Sequence, residues 1–263
     1  MGRCHTDYMD WAPGYRELAV APALADRLHC LWVSVVPPAG GATTLVLPDG
    51  CTDLIWQEGV GAFVAGPDTG PAPASSPPGA VLVGARFRPG AGGAALGVPL
   101  SELLDLRVDA AELPAIPAGR LRGSLTPDEA IERVARTAAE MVTERPPDTL
   151  VLEAARQLAM PGARADPIAR RLAISERQLR RRCQAAAGYG PRTLHRVLRF
   201  RRFVSLIDLA GAAADLAGAA IAAGYADQAH LTRESNLLAG LPPAALVRAR
   251  ASAGSVAAGQ DSR

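Results

Sequence analysis

With 263 residues, about half of them apolar, the chain is long enough for two cores, and its net charge of +2 conceals a segregation. Up to Leu150 eleven arginines face eighteen carboxylates, a net of −7; beyond it seventeen face eight, a net of +9. There is no lysine, Cys4, Cys30, Cys51 and Cys183 form no CxxC pair, and neither a signal-peptide-like start nor a long uncharged apolar run occurs. These counts exclude a disulfide framework, a structural zinc finger and a membrane span, and they imply a soluble protein of the reducing cytoplasm.

Residues 1 to about 14 read as loose, and Tyr15 to Val20 as the first ordered element. Leu28 to Val36, LHCLWVSVV, has the β-branched and aromatic content of a strand and is stopped by Pro37-Pro38. Ala42 to Leu47 and Thr52 to Gln57 flank Pro48-Asp49-Gly50, a hairpin-like turn signal. Gly61 to Ala65 and Ala80 to Phe87 are further strands, separated by GPDTGPAPASSPPG, whose composition marks an exposed loop. Leu100 to Leu104 reads as a short helix capped by Ser101. Thr126 to Glu144 reads as a long one, opened by Thr126-Pro127-Asp128-Glu129 and ended by Pro146-Pro147. Asp148 or Thr149 caps the next helix, Leu150 to Ala159, and residues 251–263 have the composition of a disordered tail.

Between Ala165 and Gly190 the pattern is that of two short helices and a tight turn. Asp166 is the expected N-cap of a helix from Pro167 to Leu172, Ala173-Ile174 the turn, and Ser175 with Gln178 a capping box opening a second helix. Leu179, Cys183 and Ala186 make its buried stripe, so Arg177, Arg180, Arg181, Arg182 and Gln184 point elsewhere. Arginine is planar, always charged, and able to bond guanine bidentately or grip phosphate, which suits such a helix to a major groove. An arginine-rich solvated face is the bland alternative. A second copy weighs against it: a shift of 52 residues takes Ser175 to Asp227, Leu179 to Leu231, Arg181 to Arg233 and Cys183 to Ser235. Arg192 to Leu209 between the copies reads as one helix, with Arg196, Arg199, Arg201 and Arg202 largely outside. Its length of about 27 Å compares with about 34 Å between successive major-groove faces.

These residues resemble the AraC-type family of bacterial transcription regulators over roughly Leu150 to Arg250. The resemblance rests on Gly188-Tyr189-Gly190-Pro191, on Arg199-Phe200, on GYADQAHLTRE from Gly224 to Glu234, and on GLPPAALVR from Gly240 to Arg248. It implies base reading by Arg177, Arg180 and Arg181 in the first unit, and by Gln228, His230 and Arg233 in the second, where Ala229 offers no hydrogen bond. Arg182, Arg196, Arg199 and Arg202 are the phosphate candidates. Cys183 and Ser235 stand where the family usually has Phe, Ala219 where it has a larger aliphatic residue, and Asn236 and Leu237 where basic residues are usual. A less firmly held second unit follows unless Leu237 or Leu238 repacks. The first half resembles an uncharacterised sensor-like domain found ahead of the AraC-type module, through LVLPDGCTDLIW, Leu45 to Trp56, and ARFRPGAGGAALGVPLSEL, Ala85 to Leu103. Such a domain is often a small β-barrel that binds an effector or dimerises.

Other chemistries are weak in the sequence. Gly90 to Ala95 fits GxGxxA with Glu112 about twenty residues on, but the following strand, Val108 to Ile116, is broken by Asp109, Glu112 and Pro114. His5, His29, His195 and His230 show no ligand spacing, so no metal or cofactor is expected. Cys51 could be reactive if exposed, although buried thiols are commoner. Trp32, Trp56, Phe63, Phe87, Arg86 and Arg88 are the residues to inspect for an effector pocket, against a bland reading of core aromatics and rim arginines. Strand alternation would put Arg86 and Arg88 on the face opposite Phe87.

The expectation is an α+β chain of two domains. A β-rich, barrel-like regulatory domain, 1–147, precedes an all-α reader, 148–250, with two helix-turn-helix units joined by a long helix. The expected function is that of a sequence-specific transcription regulator, not an enzyme, with double-stranded DNA in two adjacent major grooves as its partner. A small-molecule effector and RNA polymerase are further partners to test, and two reading heads in one chain allow action as a monomer or a homodimer. A nucleotide- or metal-dependent enzyme with a helical appendage, or an interaction protein that no longer docks on DNA, are the competing classes.

Overall fold

Apolar alternation along strands of the first hundred residues places one face of a sheet against a core. The computed structural model describes residues 11–39 and 44–258. Its strands are β1 (Gly14–Leu18), β2 (Leu28–Val35), β3 (Thr44–Val46), β4 (Thr52–Gln57), β5 (Gly61–Ala65), β6 (Ala72–Ala74), β7 (Val81–Phe87) and β8 (Arg107–Asp109). Six form one antiparallel sheet in the order β1-β2-β7-β4-β5-β8, with β1 at one edge and β8 at the other.

The hairpin expected around Pro48-Asp49-Gly50 does not form. The turn is present, with Asp49 Oδ1 accepting from Cys51 N at 2.8 Å and Gly50 at φ +79°. However, β3 pairs with β6 rather than β4, in a separate two-stranded ladder. The Pro-rich stretch expected as a bare loop therefore supplies a strand, and its Asp68 is buried in a two-point pair with Arg107 at 2.8 and 2.9 Å. The Ala42 end of the expected strand lies outside the described residues, as do Cys4 and His5.

One irregularity sets the facing of β2. Leu28 pairs with Phe87 and Cys30 with Arg86, the next residue back, so His29 is an extra residue in the strand. Leu28, Val33 and Val35 consequently share the main core, whereas Cys30 and Trp32 pack with Ile55 in a second cluster.

The helices begin with α1 (Gly92–Leu96) and α2 (Pro127–Glu144). Thr126 and Glu129 close a capping box at the start of α2, and its Ile131, Val134, Ala138, Met141 and Val142 are buried in the main core with β7. The segment at Leu100 is a single 3-10 turn, Leu100–Glu102, preceded by Pro99; Ser101 lies inside the turn and does not cap it. There follow α3 (Thr149–Leu158), α4 (Ala165–Arg171), α5 (Glu176–Ala187), α6 (Pro191–Ala210), α7 (Leu216–Ala223), α8 (Gln228–Ala239) and α9 (Pro243–Ala258). Helix α9 runs into the stretch read as tail, and residues 259–263 lie outside the described set. A second core gathers around α6, whose Leu194, Val197, Phe200, Phe203 and Ile207 are buried, while Leu209 near its end is 88% exposed. Among the described residues no helix is long and apolar enough to cross a membrane.

Candidate nucleic-acid interface

The first unit starts two residues earlier than the sequence expectation. Helix α4 begins at Ala165 after Arg164, whose side chain makes no capping bond, and the Asp166 carboxylate accepts from Arg170 at 2.6 Å instead of capping. Pro167 is still within the first turn, where amide hydrogens have no intrahelical acceptor. Ala173 takes φ +55° at the turn. Ser175 and Gln178 then form the expected capping box, fixing the entry of α5, and Gly188 at φ +80° ends it. Leu179, Cys183 and Ala186 are buried, which forces Arg177, Arg180 and Arg181 outward, where all three are exposed. None of them makes a salt bridge among the described residues. Arg182 is turned aside, paired with Asp148, the N-cap of α3.

The second unit repeats the register. Asp227 caps α8 by accepting from His230 N at 2.6 Å, Leu231 and Ser235 are buried, and Gly240 at φ +66° ends the helix. The repeat runs further than Cys183 and Ser235: Gly188 and Gly240, then Pro191 and Pro243 at the starts of α6 and α9, keep the same offset. That signal was available in the sequence. Ser235 donates Oγ–H to the Leu241 carbonyl at 2.7 Å, and Leu238 is fully buried while Leu237 is exposed. Gln228, Ala229 and Arg233 are exposed; His230 is half-buried, edge-on to Tyr225 with ring centres 5.2 Å apart.

Arg196, Arg199, Arg201 and Arg202 of α6 are not outside, although Arg192 is exposed. Arg199 pairs with Glu234 at 2.5 Å, both side chains only 12% exposed, and its guanidinium carbon lies 4.8 Å from the Tyr225 ring centre. Arg202 donates to the Ala159 carbonyl, Arg201 turns to the first domain, and Arg196 is half-buried. Packing of α6 against α3, α5, α7, α8 and α9 leaves these side chains little open surface; internal partners take Arg199, Arg201 and Arg202, whereas the buried Nε of Arg196 has no hydrogen-bond partner.

The two halves meet along a seam of close backbone approaches. A methyl at Gly93 would lie 2.4 Å from the Ala185 carbonyl oxygen of α5, one at Gly90 3.1 Å from Val151, and one at Gly188 2.6 Å from Pro67. The glycines of the apparent dinucleotide fingerprint thus let α1 touch α5, and α1 is only five residues long. The Tyr189 hydroxyl donates to the Asp68 carbonyl, and Arg201 places Nη2 at 3.0 Å from His29 Nε2 and Nη1 at 3.7 Å from Cys51 Sγ. Burial, then Arg201 and Arg88, push the His29 pKa down, and burial pushes the thiols of Cys51 and Cys183 up, so these buried sulfurs are poor nucleophiles. A cavity of about 490 Å³ opens at the same seam between Asp26, Arg88, Leu152, Arg156, Leu198 and Arg201.

Of the residues inspected for an effector pocket, Trp56 and Phe87 are in the main core and Trp32 in the second cluster, with Phe63 packed on it. Trp32 Nε1 donates to Asp53 at 2.6 Å and Arg86 Nε lies 3.1 Å from the same carboxylate. Burial opposes the charge on Arg86, but Asp53 and Asp49 outweigh it and raise its pKa. Arg86 is on the face opposite Phe87, as alternation requires, while Arg88 Nε donates to the Ala25 carbonyl at 2.6 Å and its side chain lines the seam cavity.

Residues 168–249 match the family described as a helix-turn-helix domain. The chain carries an AraC-type helix-turn-helix domain. With that domain it is a DNA-binding regulator. Residues 16–109, ahead of the AraC-type part, match a domain of unknown function (DUF6597). No curated protein shows significant similarity to the chain. Among solved structures it is similar to an apo ToxT variant from Vibrio cholerae strain SCE256, with 11% identity, a TM-score of 0.48, and coverage of 89% of this chain and 99% of that one. It is also similar to ToxT from Vibrio cholerae O395 bound to (E)-4-(8-methylnaphthalen-1-yl)but-3-enoic acid, with 9% identity, a TM-score of 0.47, and coverage of 84% and 99%.

Proposed function

We propose that residues 148–250 read a specific operator, that Arg177, Arg180 and Arg181 contact its bases, and that residues 1–147 regulate the reader through the glycine seam. The single observation that carries this reading is the capped helix α5 with three exposed arginines lacking salt bridges among the described residues, repeated in register by α8. Gln228 and Arg233 are exposed at the matching end of α8, and half-buried His230 stands beside them. Arg182, Arg199 and Arg202 have protein acceptors, so they hold the reading helices and contribute little to phosphate binding; Arg196 keeps the phosphate role. The chain binds duplex DNA as a regulator and performs no catalysis, and a promoter-bound copy works with RNA polymerase in the cytoplasm. The seam cavity, with three arginines and apolar walls, is a suitable place for an anionic small-molecule effector.

Selection of sites from a random duplex pool tests this reading, followed by affinities of Arg181→Ala on the selected site. Loss of a base contact weakens binding by about 1–3 kcal/mol and relaxes one position. Uniform weakening, with a salt slope lower by about 1, would assign Arg181 to phosphate. A pool that enriches no sequence at low salt refutes the proposal.

A further inference from the structure

Beside the seam, the extra residue of β2 assembles a cluster that no spacing motif announces. Ligand atoms of Glu17, His29 and Cys30 all lie within 4.8 Å of one another. Neighbouring strand residues ordinarily point to opposite faces; the irregularity at His29 brings its ring to the side of Cys30. Glu17 reaches the same side from β1, where it pairs with Trp32. The cluster is open to solvent at Glu17, whose side chain is 43% exposed, which gives an ion a way in.

The ring of His29 is held in an unusual state. A guanidinium can only donate, so Arg201 Nη2, 3.0 Å from His29 Nε2, makes Nε2 the acceptor and leaves the ring proton on Nδ1. That buried Nδ1 has no hydrogen-bond partner. Glu17 is steadied by the Tyr15 hydroxyl at 2.8 Å and by Arg86 at 3.6 Å. Arg86 has Asp53 at 3.1 Å and Asp49 at 3.8 Å as other partners, so Glu17 can be shared with a cation.

We propose that Glu17, His29 and Cys30 bind a borderline divalent cation of the zinc class, and that loading this site releases Arg201 and so changes the pose of the reader. One thiolate, one imidazole and one carboxylate form a three-ligand set suited to zinc, with water in the fourth position. On binding, the Cys30 thiol proton leaves to solvent, Glu17 coordinates through a carboxylate oxygen, and the His29 proton moves from Nδ1 to Nε2 as Nδ1 takes the metal. Nε2–H and the Arg201 guanidinium are then two donors face to face, and their bond is lost. Arg201 belongs to α6, around which the second core is built, and it also lines the seam cavity. This coupling rests on the regulator reading above; the metal site does not.

The test uses the full-length protein, reduced and stripped of metal, titrated with Co²⁺ and then with Zn²⁺. One equivalent of cobalt should produce a thiolate-to-cobalt absorption band that zinc abolishes. Cys30→Ser and His29→Ala should lose the band, and Cys51→Ala should keep it. Glu17→Gln, changed at an exposed position that folding tolerates, should weaken cobalt binding by at least the roughly tenfold expected for loss of even an outer-shell partner. No band in the wild type, or a band that survives Cys30→Ser with unchanged affinity, overturns the site. In a second arm, zinc should shift affinity for the selected duplex by about fivefold or more, and Arg201→Ala should abolish the shift while retaining the cobalt band. A protein that binds both cobalt and duplex without a shift refutes the coupling. One that binds no duplex overturns the regulator reading and the coupling together, while the cobalt arm still decides the site.

Discussion

Replacing Glu234 by alanine strips the carboxylate from a guanidinium that the fold keeps from water. Arg199 and Glu234 are each 12% exposed and touch at 2.5 and 3.3 Å. Removing one side of a buried ion pair costs about 3–5 kcal/mol, because the remaining charge is left without its partner. Some of that charge is still met by the Tyr225 ring, an interaction worth about 0.5–2 kcal/mol, and by His230 Nε2 at 3.3 Å. The expected loss is therefore about 2–4 kcal/mol, felt where α8 rests on α6. Leucine at both positions removes both charges, and the double variant should recover to within about 1 kcal/mol of the wild type. Urea unfolding of the wild type, Arg199→Leu, Glu234→Leu and the double leucine variant completes the cycle and isolates the coupling. If Glu234→Ala loses no more than the roughly 0.5 kcal/mol of an exposed pair, and the cycle finds no coupling, the reasoning about this pair is wrong.

Gly93→Ala brings a methyl to 2.4 Å from a backbone oxygen, where ordinary contact begins at 3.4 Å. Overpacking of about 1–3 kcal/mol should exceed the roughly 1 kcal/mol that alanine gains in a helix, so the thermal midpoint should fall; an unchanged or raised midpoint would mean that α1 and α5 do not meet this closely. Ser235→Ala leaves the Leu241 carbonyl without its hydroxyl donor, and chemical denaturation should register a loss of about 1 kcal/mol. Hydrogen bonds from the Thr126 backbone and hydroxyl hold the Glu129 carboxyl below its usual pKa of 4.5. Its stabilisation is thus complete above about pH 4.5 and fades as pH falls through the lowered value, so Glu129→Gln should be less stable than wild type at neutral pH, with the gap closing in acid. A pH-independent gap would contradict that account.

Local signals were legible wherever one residue's chemistry decides the backbone. Ser175 with Gln178, Thr126 with Glu129, and Asp148 each close the expected caps. The reading of Leu179, Cys183 and Ala186 as buried also holds. Pairing was less legible, since Pro48-Asp49-Gly50 encodes a turn but not a partner, and β4 finds β7 and β5 while β3 finds β6. The arginines of α6 read as outer because charge usually is. Arg199 and Arg201 instead meet Glu234, 35 residues onward, and His29, 172 residues back, separations that helical periodicity cannot reveal. Glu17, His29 and Cys30 were invisible for a related reason: their convergence depends on one residue out of step in β2.

That surplus residue makes strand register and inter-half contact separable. Leu28 already lies opposite Phe87 and Cys30 opposite Arg86, so excising His29 would join two neighbours that are in register with two neighbours across the ladder. The sheet could heal over the excision, and its hydrophobic facing would be retained. What vanishes is the imidazole that answers Arg201 from the other half of the molecule. Removal of that one codon would thus delete a contact between the halves, and with it one ligand of the proposed metal site, while leaving the strand register intact.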